Sequence, residues 1–205
     1  VFVSNSSGPV LSLMFIGVGS AFWFFRYDMK RIQIAFILFL ITIDILMKAP
    51  IWYLIGRIDI TGSSTGWHRA ELINSAVVYF KEWWLFGTDY THHWMPTGVS
   101  WSPDHADITN QYIHFGVIGG LFTMLAFINI IIKGFYTVGK KISKFNLKIE
   151  DEWMLWCLGS ILFSHSVTFL SVRYFDQTII LFYLLIALFS VIQDINYKPV
   201  KPRRS

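Results

Sequence analysis

His105 stands between Asp104 and Asp107, where a loop-like Trp-Ser-Pro-Asp stretch (101–104) gives way to a helix mouth and then to the unbroken apolar run LFTMLAFINIII (121–132). An imidazole titrates near neutral pH, and a neighbouring carboxylate can orient it and tune its basicity, so His105 is the leading candidate for acid–base work. Glycines 116 and 119 follow it by eleven and fourteen residues and let that helix approach a neighbour closely. A titratable ring held where water meets lipid points to chemistry at the outer face of a membrane.

The other candidates fall on the same side in the topology derived below: His68, His92, His93, His114 and His165, and the arginines Arg57, Arg69 and Arg173. Arg69 opens an expected surface helix, where free backbone N–H groups and the positive end of the dipole already favour an anion. A planar guanidinium added there makes a pyrophosphate clamp. A pair with Glu71, or contact with lipid headgroups, is the competing account. Arg173 has Asp176 nearby for a local ion pair. His165, between Ser164 and Ser166, is an ionisable group inside a membrane helix, which marks either a functional site or an interhelical hydrogen bond. His92 and His93, adjacent in a loop, read as solvated or as rim contacts.

His92, His93, Asp104, His105 and Asp107 are close enough in sequence to raise the question of a metal. No HExxH motif, paired Cys/His spacing or external Asp-x-Asp supports one, and adjacent histidines rarely share an ion, so a metal-free site is expected. Cys157, the single cysteine, excludes an intrachain disulfide. Six of the nine tryptophans (52, 67, 83, 84, 94 and 101) lie between residues 48 and 111. Most suit an aromatic interfacial belt. Trp94 and Trp101, in the loop, are the two candidates for stacking on a sugar, and Asp107 joins them as a candidate substrate contact.

The elements that must hold these residues follow from composition. Hydrophobic residues make up 54% of the 205 and charged residues only 15%, against about 25% in a soluble domain. Five apolar segments carry the deficit: Pro9–Phe25, Ile32–Met47, Tyr112–Ile132, Met154–Leu170 and Gln177–Ile192. Most barely approach the roughly 17–25 residues a spanning helix needs, so the helices are expected to extend into the flanks. The predicted class is all-α, a polytopic bundle of about five spans in one membrane domain covering 1–205.

The net charge of +4 is a topology signal and no indication of nucleic-acid binding. Twelve of the seventeen basic residues sit in three alternate connections: Arg26, Lys30 and Arg31; Lys133, Lys140, Lys141, Lys144 and Lys148; Lys198, Lys201, Arg203 and Arg204. Positive-inside bias puts these in the cytoplasm. Two spans (9–47), an external segment (48–111), three spans (112–193) and a cytoplasmic tail (194–205) result, with a tight external turn at Ser171–Asp176. So long a connection is commonly functional. Within it TGSSTG (61–66) supplies an N-cap, Ser64 or Thr65, and apolar residues from Trp67 to Trp84 recur with a helical period. That helix, predicted over 67–85, is too polar to span and should lie on the membrane surface with Trp83 and Trp84 at the lipid interface. The start, Val-Phe-Val, has neither Met nor a charged leader, so the chain reads as the C-terminal part of a longer protein or as an incomplete gene model, with a complete small protein of processed start as the alternative.

Arg69 and Leu72 in HRAEL, Gly87 in LFGTDY, and His105 with Gly116 and Gly119 resemble the C-terminal half of the O-antigen ligase and polymerase superfamily. There an external arginine segment precedes H-[N/S/Q]-x9-G-x-x-G at a helix mouth. Two positions depart from that pattern: Ala106 stands where Asn, Ser or Gln is usual, and Ser6-Ser7-Gly8 replaces a frequent Ser-Arg-Gly. The resemblance implies a glycosyltransferase at the periplasmic face of the bacterial inner membrane. Its donor would be a polyprenyl-diphosphate-linked glycan and its acceptor a lipid or a glycan. His105 would be the base, Arg69 would stabilise the leaving diphosphate, and Arg57 or Arg173 would assist. The donor carries its own energy, so no cofactor is needed. A polymerase of the same superfamily, a transporter relaying through His165 and Asp44, and a non-catalytic assembly subunit are the rivals. Asp44 also has an ordinary explanation, an ion pair with Lys48.

Overall fold

The computed structural model of the protein describes residues 7–54, 65–95 and 103–195. Its described secondary structure is helical: α1 (Ser7–Ala21) runs into a 3-10 turn (Phe22–Phe25), and α2 is Met29–Leu46. α3 (Thr65–Val78) and the single turn α4 (Phe80–Trp83) precede a second 3-10 turn at His92–Trp94. α5 (Gln111–Lys144), α6 (Ile149–Thr168) and α7 (Gln177–Asp194) complete the order. All five predicted apolar segments are helical.

Two of these helices, α5 and α7, are long and apolar enough to cross a membrane, with mean hydropathies of 2.3 and 1.8 over their most apolar stretches. The rest fall short for visible reasons. α1 has 15 residues. α2 carries Lys30 and Arg31 at its start and Asp44 near its end, and α6 opens on Glu150, Asp151 and Glu152.

Polar side chains stitch α1 to α6. Trp156, Ser160, Ser164 and Thr168 recur every four residues on α6 and so share one face. Trp156 Nε1 donates to Gly19 O (2.9 Å), Ser164 Oγ to Ser12 O (2.8 Å), and the Ser12 and Thr168 hydroxyls lie 3.0 Å apart. A methyl at Gly19 would meet Ser160 Cβ at 3.0 Å, so the small residues set the spacing of the two backbones.

The bundle has two chemically different ends. At one, Arg26 Nε reaches Glu152 Oε1 (3.1 Å), and the Tyr27 hydroxyl donates to the same oxygen (2.6 Å). Burial disfavours the Arg26 charge, but its bonds to Glu152 and Tyr27 outweigh this and hold its pKa above the ordinary value. At the same end Lys141 Nζ donates to Gln193 O (3.2 Å) and Ile195 O (2.6 Å), closing the end of α7. Arg26 and Lys141, from the first two basic connections, thus lie at one end of the bundle, and the basic residues of the third lie outside the described residues. Asp44 does not need Lys48: its Oδ1 accepts from Ile51 N at 3.1 Å and turns the chain after α2.

At the other end Asn110 caps α5, accepting from Tyr112 N (3.0 Å) and Ile113 N (3.1 Å) while its Nδ2 donates to Leu170 O (3.0 Å). Gln111 N donates to Phe169 O, and Gln111 Oε1 accepts from Tyr174 N (2.7 Å). These bonds fasten the mouth of α5 to the turn between α6 and α7.

The predicted surface helix breaks at Tyr79 instead of running on to residue 85. Val77, Val78, Tyr79 and Phe80 are poor helix formers, and the break turns Trp83 inward. Trp83 is accordingly not at a lipid interface. It is 4% exposed, donates through Nε1 to Ala76 O (2.8 Å), and lies where a methyl on Gly116 would meet its ring at 2.6 Å. Trp84 is exposed.

α5 is itself interrupted. Gly119 (φ −142°, ψ 19°) and Gly120 (φ 78°, ψ −178°) are not helical. In an unbroken helix Leu121 N would donate to Val117 O. Here Thr88 N donates to Val117 O (2.8 Å) and Leu121 N donates to Trp84 O (2.8 Å). Residues 84–88 are thus spliced into the helix. Gly120 and Gly87 (φ 86°) both adopt left-handed backbone, and a Cβ on either would strike opposing backbone, Leu85 O and Val117 O respectively.

Candidate functional site

His105 sits in a non-helical strip, 103–110, whose backbone is pinned around it. Asp104 O accepts from Thr91 N (2.9 Å) and His92 N (3.0 Å). Ala106 N donates to Thr91 Oγ1 (3.0 Å), and Thr91 is fully buried. On the far side Asp107 O is 3.2 Å from His68 Nε2. The His105 ring is half-buried, and among the described residues it makes no hydrogen bond or ion pair. Fixed backbone on both sides with an uncommitted imidazole between is a geometry suited to proton transfer.

The His68–Asp107 contact brings the first turns of α3 to this strip, and Arg69 with them. Arg69 is half-buried and engaged by neighbours. It stands one turn inside α3. The expected N-cap Ser64 lies outside the described residues, as do Arg57 and Trp101.

Ala106, which replaces a polar residue of the resembled pattern, has a local reason. It is 3% exposed and packs in an apolar cluster with Leu72, Ala76, Trp83, Trp94, Ile108 and Ile113. A polar side chain there would need a partner that the cluster does not offer. The same cluster corrects the reading of Trp94 as a sugar platform. Trp94 is 0% exposed, stacks on Tyr79 at 6.2 Å and accepts from Ser75 Oγ through its carbonyl, so neither ring face is open to a ligand.

His165 is half-buried among aromatic rings. Its Nδ1 lies 2.8 Å from the Tyr174 hydroxyl, and Phe169 and Phe182 flank it at 6.1 and 5.8 Å. Burial pushes the Tyr174 phenol up despite its bond to Thr168, so that phenol stays neutral. The bond runs from α6 to the turn that follows it and reaches no second helix, and none of these contacts joins His165 to the His105 strip. Arg173, on the same turn, lies within electrostatic reach of His114 and is also engaged by neighbours. His93, partly exposed, pairs with Glu82 (2.9 Å) between Tyr79 and Tyr90. Asp107 is half-buried and contributes its carbonyl.

Thr91 and Asn110 escaped sequence reasoning, although both position the strip. Asn110 carried a signal, an amide immediately before an apolar helix. Thr91 carried none, since its partner lies 15 residues on in an irregular stretch.

No family model, curated protein or solved structure matches the chain.

Proposed function

We propose that this protein is an O-antigen ligase-like glycosyltransferase, transferring a glycan from a polyprenyl diphosphate to an acceptor hydroxyl at the periplasmic face of the bacterial inner membrane. In this reading five helices cross the bilayer and the basic end of the bundle is cytoplasmic. The observation that carries it is the uncommitted His105 imidazole on a pinned strip, with the first turns of α3 and Arg69 brought alongside through His68. His105 takes the proton from the acceptor hydroxyl as that oxygen attacks the anomeric carbon. The bond to the donor diphosphate breaks, and Arg69 stabilises the departing anion. Arg57 and Arg173 are candidates to assist.

The break in α5 favours a second reading, a transporter, because discontinuous spans are common in that class. There the freed backbone groups line the substrate path. Here Val117 O and Leu121 N are both consumed by residues 84–88, which supports the transferase.

The test is glycan transfer by the full-length protein in membranes. His105→Ala should lower the rate by about 10²–10⁴-fold, the usual worth of a general base, while donor binding survives. Arg69→Lys keeps the charge, loses the planar fork and should retain only weak activity. Transfer by His105→Ala at the unaltered rate makes His105 structural and sinks the mechanism.

A further inference from the structure

Residues 83–88, WWLFGT, lie between the charged residues Glu82 and Asp89 and carry no charge themselves. Trp83 is the buried anchor, but Trp84, Leu85 and Phe86 are 45, 52 and 82% exposed. This is the reverse of what a loop in water would select. The height of the segment is fixed by its bonds to α5: Trp84 O to Leu121 N and Thr88 N to Val117 O. Both partners fall inside Phe115–Ile132, the stretch of α5 that carries no charged residue. Counted from Phe115 at 1.5 Å per residue, the splice lies about 3–9 Å inside that stretch. Ile118 and Phe122 of α5, 62 and 82% exposed, border it.

From this juxtaposition we propose that Trp84–Phe86 is a wedge immersed in the acyl chains of the leaflet on the His105 side. The occupant of its exposed face is lipid because the wedge continues the apolar surface of a crossing helix at that helix's own depth. Interfacial segments bury their apolar face about 5–10 Å into a leaflet, which agrees with this depth. Irregular backbone is tolerated there when protein satisfies its polar groups. The splice does so for Val117 O and Leu121 N, and Gly87 N donates to Trp83 O at 3.0 Å. The wedge also bears on the site. Thr91, five residues beyond Phe86, holds Asp104 and Ala106 on either side of His105. The segment therefore sets how high the imidazole stands above the lipid. The inference rests on α5 crossing the membrane and is independent of glycan transfer.

The experiment places a nitroxide at Phe86→Cys, Ile130→Cys or His92→Cys, each in a Cys157→Ser background. The protein is reconstituted in phosphatidylethanolamine–phosphatidylglycerol vesicles. Collision with oxygen, which concentrates in lipid, is compared with collision with a water-soluble nickel chelate. The expected result is an oxygen-to-nickel ratio at Phe86 that matches Ile130, inside the apolar stretch of α5, and exceeds exposed His92 severalfold. A ratio at Phe86 equal to that at His92, with Ile130 still oxygen-favoured, puts the wedge in water and overturns the proposal alone. Shielding of Phe86 from both reagents means a protein partner or second copy covers it, and also overturns it. A nickel-favoured Ile130 removes the membrane crossing, and the wedge with it.

Discussion

The two ends of the bundle solve the same problem, closing helix ends and connections, with different chemistry. At the basic end full charges do it: Lys141 on the last carbonyls of α7, and Arg26 with Tyr27 on Glu152. At the His105 end neutral groups hold the strip and the helix mouth, with the His93–Glu82 pair beside them: Asn110, Gln111, Thr91 and backbone forced through two left-handed glycines. A charge that closes a helix is spent, because its partner fixes it. Neutral capping leaves the titratable ring of His105 uncommitted, which is what a site needs.

The contrast predicts where substitution hurts most. Gly120→Ala should be the most damaging to stability: its conformation is nearly exclusive to glycine, costing about 1–3 kcal/mol, and its new methyl strikes the Leu85 carbonyl. Thermal unfolding in detergent should drop sharply, with Gly87→Ala close behind. An unchanged transition would mean the splice is dispensable and the neutral end is not rigid.

Asn110→Ala comes next, at about 0.5–2 kcal/mol for loss of an N-cap, with further loss from the bond to Leu170. Hydrogen exchange should rise at Tyr112 and Ile113, the two amides it caps. Lys141→Met should cost less, about 1 kcal/mol or under, because removing a buried ammonium also relieves its desolvation. If it costs more than Asn110→Ala in the same assay, the assignment of rigidity to the neutral end is reversed.

The smallest effect concerns pH. The bond to Glu152, with burial, raises the Tyr27 phenol above its ordinary value near 10. A group raised on folding stabilises fully below its unfolded pKa and loses that contribution as pH climbs through the folded one. Alkaline destabilisation above pH 10 should therefore be shallower in Tyr27→Phe than in the unaltered protein. Tyr27 is 65% exposed, so solvent screening keeps the difference small.

The helices and their shared basic end were legible because hydropathy and charge act locally and repeat along the chain. The strip around His105 was legible only as a position. Its pinning comes from Thr91 and His68, 15 and 39 residues from the groups they hold, and no periodicity carries such information. Trp94 shows the limit most plainly. A tryptophan in a loop looks available, yet the loop folds under α3 and its ring becomes core. The paired glycines were visible as glycines, but spacing alone gave close packing for Gly116 and concealed the break at Gly119–Gly120.

That break has a consequence for the order in which the protein is made. The bond an uninterrupted α5 would form within itself is local and needs no other segment. The bonds it forms instead require residues 84–88, and these leave the ribosome about thirty residues before Val117 and Leu121 do. The later helix is therefore completed against a piece of backbone already in place. The segment that should dip into the leaflet acts first as a template, and only afterwards as a brace.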